Sequence, residues 1–201
     1  MKTRPFAITA SSALVVLLAA CGAPHASSPA STGGSATSSS VGSVANVSDA
    51  DVSFAQLMIP HHQQAVEMAD LALSRKTSPE VKQLAEQIKA AQGPEIEMMS
   101  TWLEGWGAPM AMGEDHSGHD MGGMDMSGMM SDDDMQALAD AQGAEFDRMW
   151  LEMMIAHHQG AISMAEQVKG ASSNADVTSL AGAVMTGQAV EIDAMQKLLA
   201  Q

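Results

Sequence analysis

The chain has 201 residues, with 9 Lys and Arg against 24 Asp and Glu, a formal net charge of −15. Phosphate neutralisation needs clustered cations, so nucleic acid is excluded as a partner. Aromatics make up 3% with no Tyr, against 19 Met. A core of Ala, Leu, Val and Met favours helices over strands, and a single Cys leaves only imidazole, thioether and carboxylate to hold a metal.

The N-terminus reads as an export signal. Lys2 and Arg4 precede the apolar run Ala13-Leu14-Val15-Val16-Leu17-Leu18, which leads into Ala19-Ala20-Cys21. The run is too short to span a membrane. The segment resembles a bacterial lipobox, which implies a signal peptide over 1–20 and makes Cys21 a lipidated anchor. Residues 21–48 are rich in Ser, Ala, Gly, Thr and Pro with almost no charge. Such a composition cannot build a core and predicts a flexible tether.

The first predicted helix, about 49–75, follows Ser48. On a wheel of about 100° per residue, Phe54, Met58, Ala65, Val66, Ala69, Ala72 and Leu73 form one stripe. His61 and His62 flank its centre, whereas Gln63 and Glu67 point outward. The second helix starts with Ser78 as cap and Pro79 in its first turn and runs to about Gly105. Its stripe of Val81, Leu84, Ile88, Ala91, Met99 and Trp102 includes Gln92 and Glu95. Pro60 and Pro94 each remove a backbone hydrogen bond and should kink their helices.

A long connector follows. Its Met, including Met121, Met124 and Met126, are spread with His116 and His119 among Gly, Asp and Ser without helical period. Packing does not account for them; soft thioethers select Cu(I), and imidazole serves Cu(II) as well. A solvated loop with incidental Met is the bland alternative. The third predicted helix begins after the Ser131 cap, with Asp132, Asp133 and Asp134 at the positive end of its dipole, and closes at Gly170. It carries Trp150, Met154, Ala161, Ile162 and Ala165 around His157 and His158. The fourth, capped by Asn174, sets Val177, Leu180, Val184 and Met195 around Gln188 and Glu191.

The first and third helices share an ungapped repeat. Met58-Ile59-Pro60-His61-His62-Gln63-Gln64-Ala65 returns as Met154-Ile155-Ala156-His157-His158-Gln159-Gly160-Ala161, an offset of 157 − 61 = 96. The same offset pairs Gln92 with Gln188, Glu95 with Glu191 and Met99 with Met195. The halves are two duplicated helical hairpins, 49–106 and 132–201, joined by a Met/His-rich loop over 107–131. They predict an all-α, antiparallel four-helix bundle over 49–201.

A carboxylate on a core-facing stripe is costly unless it is paired or binds a cation. Glu95 and Glu191 each have a His pair to answer them. One reading is a polar layer that fixes helix register. The other is a metal site drawing on His61, His62, His157, His158, Met58, Met154, Glu95, Glu191, Met99 and Met195, with His116, His119, Met121, Met124 and Met126 as a second donor set. Met68 and Met164 lie two turns beyond the first His of each pair and read as core, or at most as a second site.

The paired HHxxAxxMA segments, each followed by QxxEIxxM, resemble the secreted bacterial domain-of-unknown-function family 305 over nearly all of residues 49–201. The resemblance implies a ferritin-like four-helix bundle and, for members with Met- and His-rich segments, periplasmic copper binding and copper resistance. It places the family's His pairs on His61, His62, His157 and His158, and its Met positions on Met58, Met68, Met154 and Met164. The expected function is therefore a non-enzymatic, lipid-anchored, extracytoplasmic protein. It would bind Cu(I) or Cu(II), sequester it or exchange it with a copper-donating or copper-accepting protein, and contact the membrane only through its anchor. The alternatives are a ferritin-like metal oxidase, although no ExxH motif stands on any predicted helix, and a protein-interaction module with a purely structural His layer.

Overall fold

The computed structural model describes residues 46–110 and 127–201. The signal segment, Cys21 and most of the tether lie outside the described residues, as do His116, His119, Met121, Met124 and Met126. Five helices follow in order: α1 Asp49–Leu73, α2 Pro79–Trp106, α3 Asp132–Asp140, α4 Gly143–Ala171 and α5 Ala175–Leu199. Among the described residues no helix is long and apolar enough to cross a membrane.

The helix starts follow local chemistry. Ser48 and Ser131 each form a reciprocal capping box, with Asp51 and Asp134 respectively, so orphan N–H groups of the first turn are satisfied. Ser78 accepts from Val81 N, and Asn174 accepts from Asp176 N and Val177 N. Gly107 ends α2 in the left-handed region at φ 69°, which a glycine adopts without steric cost.

The expected third helix is two. It stops at Asp140, where Ala141 turns extended, and restarts at Gly143 with φ 59°. The break lets α3 bury Leu138 while α4 turns Phe146 and Trp150 inward. Pro60 and Pro94 sit inside the continuous helices α1 and α2. Gly170 lies within α4, which closes one residue later at Ala171.

α1 packs along α2 and α4 along α5, and the two hairpins meet chiefly through α1 and α4. One apolar cluster joins Phe54–Ile59 of α1 to Ala161–Val168 of α4 and Val177–Val184 of α5. The other joins Ala65–Ala72 of α1 to Phe146–Met154 of α4 and Val81–Ile88 of α2. Early α1 residues thus face late α4 residues and the reverse, so these helices run antiparallel and cross near His61 and His157. Trp150, fully buried, donates its indole N–H to the Met68 carbonyl at 2.9 Å and pins the crossing helices in the second cluster.

Candidate metal centre

The two apolar clusters stop short of each other, and a polar layer fills the gap. Its members are His61 and His62 from α1, Gln92 and Glu95 from α2, His157 and His158 from α4, and Gln188 and Glu191 from α5. All four histidines are completely buried. The helical period alone turned them inward, because each pair straddles the stripe that the flanking apolar residues define.

Each hairpin contributes one His–Glu pair. His62 Nε2 lies 2.7 Å from Glu95 Oε2, and His158 Nε2 lies 2.8 Å from Glu191 Oε2. The carboxylates are about one-fifth exposed, so they keep some water while gripping a buried ring. An ionised carboxylate only accepts, so Nε2–H donates and Nδ1 is left with the lone pair in a neutral ring. A carboxylate behind an imidazole fixes the tautomer and raises the basicity of the ring as a metal ligand.

The other two histidines meet at the crossing of α1 and α4. The His61 and His157 rings stand 3.9 Å apart between centroids, tilted by 44°. His157 and His158 rings are 6.4 Å apart. Burial, with the neighbouring imidazoles, pushes His61 down from 6.5 to about 4 even though the Ser127 carbonyl at 3.2 Å favours its protonated form. Burial pushes His157 further, to about 2, again reinforced by the other rings. Both rings are therefore neutral at physiological pH, the form in which imidazole binds a metal.

Among the described residues, Nδ1 of all four histidines, Nε2 of His157 and both amide atoms of Gln92 and Gln188 are buried without a hydrogen-bond partner. An unsatisfied buried polar group costs about 1–3 kcal/mol. Nine such atoms in one layer are more than internal pairing satisfies. Among the described residues no three His, Cys, Asp or Glu side chains form a group that could hold a metal ion. The donors available within the layer are pairs of imidazoles, with sulfur at its borders.

The methionines sit in those borders, fully buried. Met58 and Met99 belong to the first apolar cluster and Met154 and Met195 to the second. Met164 joins Met58 and Met99, while Met68 joins Met154 and Met195. Among the described residues each side of the layer thus carries three fully buried thioethers drawn from both hairpins. Distance along one helix could not reveal this, because the third sulfur arrives from the antiparallel neighbour. Ser127 is a layer contact with no advance signal in the sequence. Gln92 and Gln188 were visible as polar residues on apolar stripes, although their unpaired amides were not.

The family model for a domain of unknown function, DUF305, matches residues 51–199. A DUF305 protein from Streptomyces coelicolor is 34% identical with a TM-score of 0.69, covering 75% of this chain and 92% of its own. CopM in its Cu(II)-bound form is 37% identical with a TM-score of 0.61, covering 75% of this chain and 95% of its own. A DUF305 fragment from Deinococcus radiodurans is 29% identical with a TM-score of 0.66, covering 77% of this chain and 98% of its own. CopM has also been solved with Cu(I) and with silver bound. No curated protein gives a significant match to the chain.

Proposed function

The chain belongs to the DUF305 family, and from that premise we propose that it is an extracytoplasmic copper-binding protein that sequesters or hands on the ion by ligand exchange. The observation that carries this reading is the set of four fully buried histidines whose Nδ1 atoms have no partner among the described residues. The similarity to CopM, solved with Cu(I), Cu(II) and silver, supports it. Glu95 and Glu191 act behind His62 and His158, orienting the rings, in place of the direct ligation that the sequence alone suggests.

In this reading the ligands are the imidazoles of His61, His62, His157 and His158, with the thioethers of Met58, Met99, Met154 and Met195 at the borders of the layer. Thioethers suit Cu(I) and imidazole suits both copper states, so the donor mix accommodates either. The connector residues His116, His119, Met121, Met124 and Met126 form a capture set that loads the bundle. Thioethers do not titrate, so capture by sulfur survives mild acid, and the buried rings of His61 and His157 stay neutral there as well. The lipobox motif supports an anchor at Cys21 that holds the domain at the outer face of a membrane, where it exchanges copper with a partner protein. The reading assigns no catalytic residue, and the protein is a binder and not an enzyme.

The test is copper content by elemental analysis after dialysis. The wild-type chain retains copper, and a variant with all four bundle histidines changed to Ala and residues 110–130 removed retains none. Equal copper in the two proteins would overturn the proposal.

A further inference from the structure

The repeat aligns position 64 with position 160, and there the two halves differ: Gln64 against Gly160. The structure puts both residues to use on the same piece of chain. Gln64 Nε2 donates to the Met130 carbonyl at 2.8 Å, and its Oε1 accepts from Met130 N at 2.7 Å, a two-bond grip on backbone. On the facing helix, a Cβ at Gly160 would stand 1.7 Å from the Ser127 carbonyl oxygen. Gly128 is reciprocal: it has φ 85°, and a Cβ there would meet the Ala156 carbonyl at 2.6 Å. The segment 127–130 therefore lies in a notch that only glycines leave open and is held there by one glutamine.

This seating brings the Ser127 carbonyl to 3.2 Å from His61 Nε2. A carbonyl only accepts, so the hydrogen of neutral His61 sits on Nε2 and the lone pair on Nδ1. His62 and His158 reach the same state through Glu95 and Glu191. Three of the four rings thus present Nδ1, and for His61 the partner is main chain where its neighbour uses a carboxylate.

We propose that Gln64 and Gly160 are positioning residues: they seat the Ser127–Met130 backbone so that the Ser127 carbonyl sets the tautomer of His61 and makes Nδ1 its ligating atom. The tautomer stands on the hydrogen-bond geometry alone; the ligating role rests on the copper-binding reading. The seat also fixes the exit of the Met/His-rich connector to the His layer. At its entry, Gln56 on the same helix donates to the Pro109 carbonyl at 2.7 Å. Gln56 and Gln64 are eight residues apart on α1, about 12 Å along its axis, with His61 and His62 between them.

The experiment is long-range proton–nitrogen NMR of the full chain with 15N-labelled histidine, metal-free near pH 7. The His61 signals are assigned by their loss in His61→Asn. Wild type is expected to show His61 as the Nε2–H tautomer. Gly160→Ala and Gln64→Ala, which disturb the seat from opposite sides, are expected to shift His61 toward a tautomer mixture. Gly170→Ala, on the same helix with open space around it, should leave the spectrum unchanged. Silver(I) titration should perturb Nδ1 of His61 in wild type and bind about 10–100-fold more weakly in both seat variants, the usual cost of losing a partner behind a metal-bound imidazole. An Nδ1–H tautomer in wild type, or an unaltered His61 spectrum in both folded seat variants, overturns the proposal. Wild-type protein that takes up no silver and no copper overturns the proposed function, while the tautomer result still decides the seat.

Discussion

His61 and His157 occupy equivalent positions in the two halves of the sequence, and their rings face each other at 3.9 Å between centroids in the middle of the bundle. The same layer holds one His–Glu pair from each hairpin, His62–Glu95 and His158–Glu191.

That contact makes His157 expensive. Neither of its ring nitrogens makes a well-formed hydrogen bond among the described residues, although the His61 backbone weakly favours the protonated ring, and it is fully buried. Replacing such a group by an apolar side chain of similar size removes a penalty of about 1–3 kcal/mol. His157→Leu should raise the melting temperature of the metal-free protein and reduce the further rise that silver produces in wild type. Calorimetry with and without silver checks both, and a variant that melts lower without metal would contradict the account.

Acid should weaken the fold within a definite window. The folded-state values of His61 and His157 lie near 4 and 2, below the ordinary 6.5. Between 6.5 and 4 the unfolded chain binds protons that the folded chain refuses, so stability falls as pH falls. At pH 4 the loss is on the order of 3 kcal/mol for each ring. Asp134, held low by Ser131, loses its contribution mainly below 3.8 and does so equally in wild type and in His157→Leu. Urea midpoints measured from pH 7 to 4 should decline in wild type and decline less in His157→Leu.

Glu95→Gln and Glu191→Gln keep a side chain able to hydrogen-bond while removing the charge behind His62 and His158. Loss of such a partner costs about 10–100-fold in metal affinity. Competition against a chromophoric Cu(I) chelator should show a drop of that size in each single variant. Because the two pairs have almost the same geometry, 2.7 and 2.8 Å, the two variants should weaken binding to a similar degree.

The break between α3 and α4 rests on backbone conformation. Gly143 has φ 59°, and a Cβ there would meet nothing within 4 Å. Gly143→Ala should therefore cost only the left-handed penalty, about 1–2 kcal/mol, with no clash. A urea midpoint unchanged from wild type would show that the break tolerates another conformation.

The single helix expected after Ser131 was a misreading with a clear cause. Three aspartates and a capping serine announce a start, but nothing in the 3.6-residue period announces the extended residues Ala141 and Gln142. The restart at Gln142 has no side-chain cap, so the usual signal was missing. The divergence of Gln64 from Gly160 was equally plain on the page but carried no meaning until backbone was seen between them.

Local periodicity sets the direction of a side chain about its own helix axis, and caps set where that helix begins. The amino-acid order therefore determined by itself that the molecule is helical, that four histidines and two glutamates face inward, and that Ser48, Ser78, Ser131 and Asn174 open helices. Periodicity carries no information about how one axis crosses another. Only the tertiary structure decided that α1 and α4 run antiparallel, that Met164 joins Met58 and Met68 joins Met154, and that the His61 ring meets the His157 ring. It also decided which nitrogen is bound in the rings of His61, His62 and His158. That choice depends on a carboxylate 33 residues away in two cases and on a carbonyl 66 residues away in a third, and no local spacing encodes contacts at that range.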